Sequence, residues 1–211
     1  ASIGTAVHEW MHSWYQMILG SNESLYAWMD EGFTDYSSTR AMAMLRNSPG
    51  FWYNGSYGGY YRLARSGYEE PASTHADHFN TNFASTSSAY SKGAVFMEQL
   101  GYIVGADARD KILHAYFNTW KFKHPNPNDF IRIAEKISGL ELDWYKEYWI
   151  YSTKTIDYAV GDIAMVDNKT SITIKRIGKM PMPIDVLVTY KDGTQEMHYM
   201  PLNLMYGAKP L

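Results

Sequence analysis

Apolar residues in the first two-thirds of the chain recur at three- and four-residue steps. Val7, Trp10, Met11, Trp14, Met17 and Ile18 form one such series, which predicts a helix with one buried face, and Gly20 ends it. A second helix is expected over residues 25–45, rich in Ala and Met, with Asn47-Ser48-Pro49-Gly50 as its stop. Residues 51–61, dense in Gly and aromatic side chains, read as a loop. Residues 66–89 carry Pro, Ser, Thr, Asn and His without a period, and read as loop with one short helix. The helical period returns near Ser88, where Val95, Phe96, Leu100, Ile103 and Val104 share a face. Ile112, Leu113, Tyr116, Phe117 and Trp120 define another helix over residues 110–120. Pro127 suits the first turn of a helix, where its missing N–H is not needed, and that helix runs to Gly139. A last short helix is expected over residues 142–151.

After residue 157 the period changes to two. Ile172-Thr173-Ile174 and Val186-Leu187-Val188-Thr189-Tyr190 are β-branched and alternate. Asp192-Gly193 reads as a hairpin turn, because it accepts the positive φ values that tight hairpins require. The chain is therefore expected to be mainly α over residues 1–157, with antiparallel strands over residues 158–211, α+β as a whole. Three or four strands are few for a sandwich, so the second part reads as the beginning of a β-domain.

Composition narrows the function classes. The 211 residues hold 45% hydrophobic side chains, enough for one full core and a fragment of a second. A formal net charge of −3 with 19% charged residues excludes a basic nucleic-acid footprint. The absence of cysteine excludes disulfides, thiolate metal sites and cysteine nucleophiles. No apolar run reaches the ~18 residues of a membrane span. The opening Ala1-Ser2-Ile3-Gly4, without Met, reads as an excised or processed start, which leaves secreted, periplasmic and cytoplasmic settings and any oligomeric state open.

The chemistry concentrates at His8-Glu9-Trp10-Met11-His12. Residues four apart on a helix lie one turn apart on the same face, so both imidazoles can reach one zinc ion. Catalytic zinc takes three protein ligands plus a water. Glu9, beside the pair, can accept the proton of that water, which the metal makes acidic enough to attack a carbonyl near neutral pH. Glu31 in Trp28-Met29-Asp30-Glu31-Gly32-Phe33 supplies the third ligand. The eighteen intervening residues let the first helix end and a second return past the site. A random H-E-x-x-H arises at roughly 0.01 per chain of this composition.

This motif, its spacing to Glu31 and Tyr90-Ser91-Lys92-Gly93-Ala94 resemble the aminopeptidase N family of zinc metallopeptidases, the gluzincins. The resemblance covers most of residues 5–150. It implies the helical lobe of a thermolysin-like peptidase domain that binds one zinc on His8, His12 and Glu31 and acts on the N-terminal bonds of peptide substrates. It also implies that Glu9 is the general base and that the Tyr90 hydroxyl stabilises the oxyanion. Two departures stand out. Asp30 occupies a position where many members have Asn. The family's Gly-x-Met-Glu-Asn segment, which anchors the substrate amine, and its upstream sheet would precede Ala1. An inactive lobe or a non-catalytic zinc-binding or interaction module is therefore the rival reading, and a thermolysin-like endopeptidase a third.

Weaker candidates follow. Asp35, four residues after Glu31, is placed to hydrogen-bond the free nitrogen of His8 or His12. His75 and His78 lack a further ligand pattern and read as loop polarity. Residues 51–61 can wall a substrate pocket or simply pack. Lys121, Lys123 and His124 read as a solvated helix end. Asn22, Asn54 and Asn168 head glycosylation triplets that are common by chance. Met42 and Met44 read as core filling.

Overall fold

The computed structural model describes residues 2–205. Two compact units divide the chain, residues 1–153 and 154–211. The first is all-helical: α1 (Ile3–Met11), α2 (Phe33–Leu45), α3 (Asn54–Ser66), α4 (Asn82–Thr86), α5 (Gly93–Val104), α6 (Ala106–Trp120), α7 (Pro127–Ser138) and α8 (Asp143–Ile150). Wide turns precede α2 (Trp28–Gly32) and α5 (Ser87–Lys92). Among the described residues no helix is long and apolar enough to cross a membrane.

The core is built from aromatic side chains. Trp28 meets Phe96 edge-on at 5.1 Å, Phe33 lies 4.9 Å from Phe130, and Tyr116 stands perpendicular to Phe130 at 5.1 Å. The two edge-to-face pairs, Trp28–Phe96 and Tyr116–Phe130, add about 0.5–1.5 kcal/mol each beyond the area they bury. Tyr145 closes the cluster by donating its hydroxyl to the Phe96 carbonyl at 2.6 Å. α7 forms at the expected place for local reasons. Asn126 and Asp129 make reciprocal cap hydrogen bonds around Pro127, and Gly139 ends the helix at φ 71°.

Three sequence expectations are corrected. The first helix does not continue to residue 18. It ends at Met11, and Gln16 at φ 95° breaks the turn that follows. Bonds from Met17 N to His12 O and from Leu19 N to Trp14 O, each spanning five residues, widen that turn. The widening carries Leu19 into the core at 1% exposure, while Trp10 and Met17, expected on the buried face, are 70% and 68% exposed. The segment over residues 51–61 is not all loop, because α3 begins at Asn54 despite three glycines. Tertiary packing overrides their low helix propensity: a Cβ on Gly59 would collide with the Ser91 side chain. Residues 82–92 are helical through α4 and the wide turn after it, so less of residues 66–89 is loop than the missing period suggests.

The second unit holds two antiparallel hairpins. β1 (Tyr158–Val166) pairs with β2 (Lys169–Arg176), and β3 (Ile184–Thr189) pairs with β4 (Gln195–Met200). Asp167 and Asn168, at φ 47° and 57°, supply the two positive φ values of the first turn. Gly193 at φ 87° supplies one in the second, where Asp192 Oδ1 accepts from the Thr194 amide at 3.0 Å. The Tyr158 hydroxyl accepts from the Met182 amide and donates to its carbonyl, at 3.0 and 3.1 Å.

Candidate metal centre and active site

α1 and the residue that caps its C-terminus present His8 and His12 on one face, with ring centroids 4.9 Å apart and planes at 82°. Glu31 arrives from the wide turn before α2. Its Oε2 lies 3.2 Å from His8 Nε2 and 3.2 Å from His12 Nε2. Among the described residues this trio is the one group of His, Asp and Glu side chains gathered tightly enough to hold a metal ion. His75 and His78, which read as loop polarity in the sequence, have ring centroids 4.9 Å apart but no third ligand beside them among the described residues. His75 Nδ1 instead accepts from the Asp77 amide at 3.1 Å, as a local cap.

The spacing tests the fit to zinc. Bonds of about 2.0–2.1 Å in a tetrahedron put neighbouring ligand atoms about 3.3 Å apart. The two nitrogens stand at nearly that distance from the carboxylate oxygen. Lone pairs from two neutral imidazoles and a carboxylate repel at such range unless a cation or shared protons lie between them. The donor set, two nitrogens and one oxygen, is one that zinc accepts.

Asp30, which in the sequence stands only as a departure from the family's Asn, has a partner in the structure. Its Oδ1 lies 2.7 Å from His12 Nδ1, and Thr34 Oγ1 lies 3.3 Å from the same nitrogen. A proton on Nδ1 donated to Asp30 leaves the Nε2 lone pair facing Glu31. Burial raises the Asp30 pKa against the pull of His12. Asp35 does not take the position expected for it beside an imidazole nitrogen. Its Oδ2 accepts from Ser56 Oγ at 3.2 Å, and burial, opposed by that bond and by His8, raises its pKa. The missed signal was a carboxylate inside the apolar run Trp28-Met29-Asp30, where burial demands a hydrogen-bonding partner.

Tyr90 reaches the same place from the other side. Its ring stacks on His8 at 5.7 Å and 17°. Burial, and then the hydrogen-bonded Glu31 carboxylate, hold its phenol above the usual pKa, so it stays a proton donor. A backbone contact permits this approach: a Cβ on Gly32 would lie 2.5 Å from Gly93 Cα. Lys92, 1% exposed, pins the turn that carries Tyr90. Its Nζ donates to Glu69 Oε1 at 2.7 Å and to the Ser152 carbonyl at 3.1 Å. Sequence reading had placed Lys92 only within a motif and had not singled out Glu69.

His8, Glu9, Asp35 and Tyr90 line one end of a cleft of about 740 Å³, and Phe51 and Trp52 line it too. The basic cluster at Lys121–His124 is a helix end: Lys123 Nζ donates to the Thr119 carbonyl at 2.8 Å, and His124 Nδ1 lies 2.9 Å from the Gly20 carbonyl oxygen.

Comparison with known proteins places these features. The model of the peptidase family M1 domain matches residues 2–149. Leucine aminopeptidase 2 of Chaetomium globosum is 26% identical over 164 residues, 68% of this chain and 26% of that protein. Aminopeptidase N of Streptomyces lividans is 25% identical over 156 residues, 69% of this chain and 18% of that protein. The chain thus spans about a quarter or less of the length of the curated relatives it matches. An M1 zinc metallopeptidase from Deinococcus radiodurans shares the fold at a TM-score of 0.58, with 21% identity, 70% of this chain and 32% of the other. Aminopeptidase A of Legionella pneumophila gives a TM-score of 0.62 with 15% identity, covering 93% of this chain and 23% of the other.

Proposed function

The chain belongs to peptidase family M1, and from that premise we propose that it carries the metal-binding lobe of a zinc aminopeptidase. One observation carries the reading: His8 Nε2 and His12 Nε2 both stand 3.2 Å from Glu31 Oε2. Two relatives named as aminopeptidases support the choice of an amino-terminal peptidase over an endopeptidase. Residues 1–157 are assigned to the catalytic lobe and 158–211 to a β-domain.

His8, His12 and Glu31 would hold one zinc ion. When bound, zinc would supply a Lewis acid that acidifies a water and polarises the scissile carbonyl. The rest falls to the chain's own side chains. Glu9 takes the proton of the attacking water and returns it to the leaving nitrogen. The Tyr90 hydroxyl donates to the carbonyl oxygen as negative charge develops there, an interaction stronger in the transition state than in the ground state. Asp30 orients His12, and the Lys92–Glu69 pair holds the turn that presents Tyr90.

The test is a Glu9→Gln protein in its full polypeptide, assayed on an aminoacyl chromogenic substrate and for metal content. Zinc should stay near one per chain and turnover should vanish; retained turnover would remove Glu9 from the mechanism. The rival reading, a zinc-holding lobe inactive on its own, draws on α1, none of whose residues is buried. Comparing this stretch with the longer protein on the same substrate separates the two, and equal activity rejects the rival.

A further inference from the structure

The geometry points to a groove on the leaving-group side of this site that takes short peptides by their free C-terminal carboxylate, held on Arg46. The inference rests on the aminopeptidase reading and names its substrate class. The floor of the cleft is one stripe of α2: Asp35, Ser38, Thr39, Met42, Ala43 and Arg46 all line it. Steps of three and four residues set side chains along a single helix face. α1 forms the opposite wall and runs antiparallel to α2. His12 meets Asp30 and Thr34 at the start of the α2 segment, whereas Gly4 and Thr5, a turn or more back along α1, line the groove farther on. The groove therefore leaves the metal ligands and follows α2 toward its C-terminal end.

Direction and length follow. Glu9 lines the groove and serves the leaving nitrogen, so the chain attached to that nitrogen enters there. From Asp35 to Arg46 the helix advances eleven residues, roughly 16 Å at 1.5 Å per residue. An extended peptide covers about 3.3–3.6 Å per residue, so about four or five residues fit beyond the scissile bond. Charge complements this length. The acids Glu9 and Asp35 stand at the catalytic end. Arg46, on the opposite end, is the only Lys or Arg among the residues lining the groove, and no ion-pair partner for it occurs among the described residues. A guanidinium matches a carboxylate through two parallel hydrogen bonds. Beside it, Phe51 and Trp52 are 52% and 38% exposed, and the Trp52 indole N–H, donated to the Ser48 carbonyl at 3.0 Å, fixes the ring as an apolar wall.

The test uses the zinc-loaded full polypeptide and leucine-led alanine peptides of graded length, each as the free acid and as the C-terminal amide. For acids of about five or six residues, kcat/KM should exceed that of the amide about tenfold, which is about 1.4 kcal/mol, and the difference should lie in KM. Shorter peptides should show no preference. Arg46→Ala should erase the difference while leaving turnover of leucine p-nitroanilide, which is too short to reach residue 46, unchanged. A second readout needs no turnover: the Glu9→Gln protein should bind the longer acid about tenfold more tightly than its amide by calorimetry. Equal handling of acid and amide in either assay, with p-nitroanilide cleaved, overturns the groove and leaves the aminopeptidase reading standing. Arg46→Ala slowing p-nitroanilide as much as the longer acid also overturns it. No hydrolysis of any substrate overturns the reading beneath it, whereas acid-selective binding by Glu9→Gln would still support the groove.

Discussion

Replacing Asp30 by Ala removes the acceptor that holds His12, and its effect can be sized from the geometry. The carboxylate oxygen lies 2.7 Å from His12 Nδ1 and the residue is buried. Contacts of this kind fix the tautomer and orientation of a ligating imidazole, and losing one lowers metal affinity about 10- to 100-fold, roughly 1.4–2.7 kcal/mol. The fold itself should suffer less. Burial already disfavours the Asp30 carboxylate, as its raised pKa records, so its removal relieves a desolvation cost while losing the bond. Asp30→Asn keeps a carbonyl acceptor and loses only the charge, so its loss should fall at or below the low end of that range. Asp35→Asn should leave affinity near that of the unaltered protein, because the Asp35 bond goes to Ser56 and not to an imidazole. Zinc affinity is read by competition with a chromogenic chelator at neutral pH and fixed salt, beside thermal unfolding of the metal-free proteins. If Asp30→Ala binds zinc as tightly as the unaltered protein, or Asp35→Asn loses more, the assignment of the orienting carboxylate is wrong.

Other expectations follow from the same structure. Tyr90→Phe should lower kcat about 10²- to 10³-fold with zinc content unchanged, the cost of one donor to a developing oxyanion; equal kcat would exclude that role. Gly93→Ala brings a Cβ within 2.7 Å of Gly32 Cα, so it should cost about 1–3 kcal/mol in denaturant unfolding and weaken zinc binding by moving Glu31. Lys92→Met strands the buried Glu69 carboxylate and should cost about 3–5 kcal/mol, whereas adding Glu69→Leu should recover most of it. Asp110 is held below the usual carboxylate pKa, first by its hydrogen bond to Arg40. Its contribution is therefore present above the unfolded-state pKa and lost as pH falls through the lower folded value. Exposure limits it to about 1 kcal/mol or less, and acid unfolding of Asp110→Asn should lack this component.

What the sequence disclosed depended on the range over which each feature is determined. The His8–His12 pair is a matter of helical rise and needs nothing beyond five consecutive residues. α7 is equally local, because Asn126, Pro127, Asp129 and Gly139 write its start and stop. α3 was missed because its glycines argue against a helix locally, and the reason for one of them, the room Gly59 leaves for Ser91, lies more than thirty residues away. The break at Gln16 was missed for a similar reason. An unbroken helical period through residue 18 favours continuation, but burying Leu19 needs a widened turn, and only the packed core sets that demand.

Asp30 shows the same limit within the site. Neighbouring residues on a regular helix diverge by about 100°, so two adjacent carboxylates are not expected to serve one ring. Here they do, by gripping opposite edges of the imidazole: Glu31 at Nε2 and Asp30 at Nδ1. That grip requires the wide turn over Trp28–Gly32, and the turn packs backbone to backbone against Gly93. The side of the site that carries Tyr90 is fixed by the same contact and by the buried Lys92–Glu69 pair. The histidine half of the centre is thus written in one helix turn. The carboxylate and tyrosine half exists only where two distant segments can touch without side chains between them, which makes Gly32 and Gly93 as much a condition of the proposed site as the residues proposed to ligate the metal.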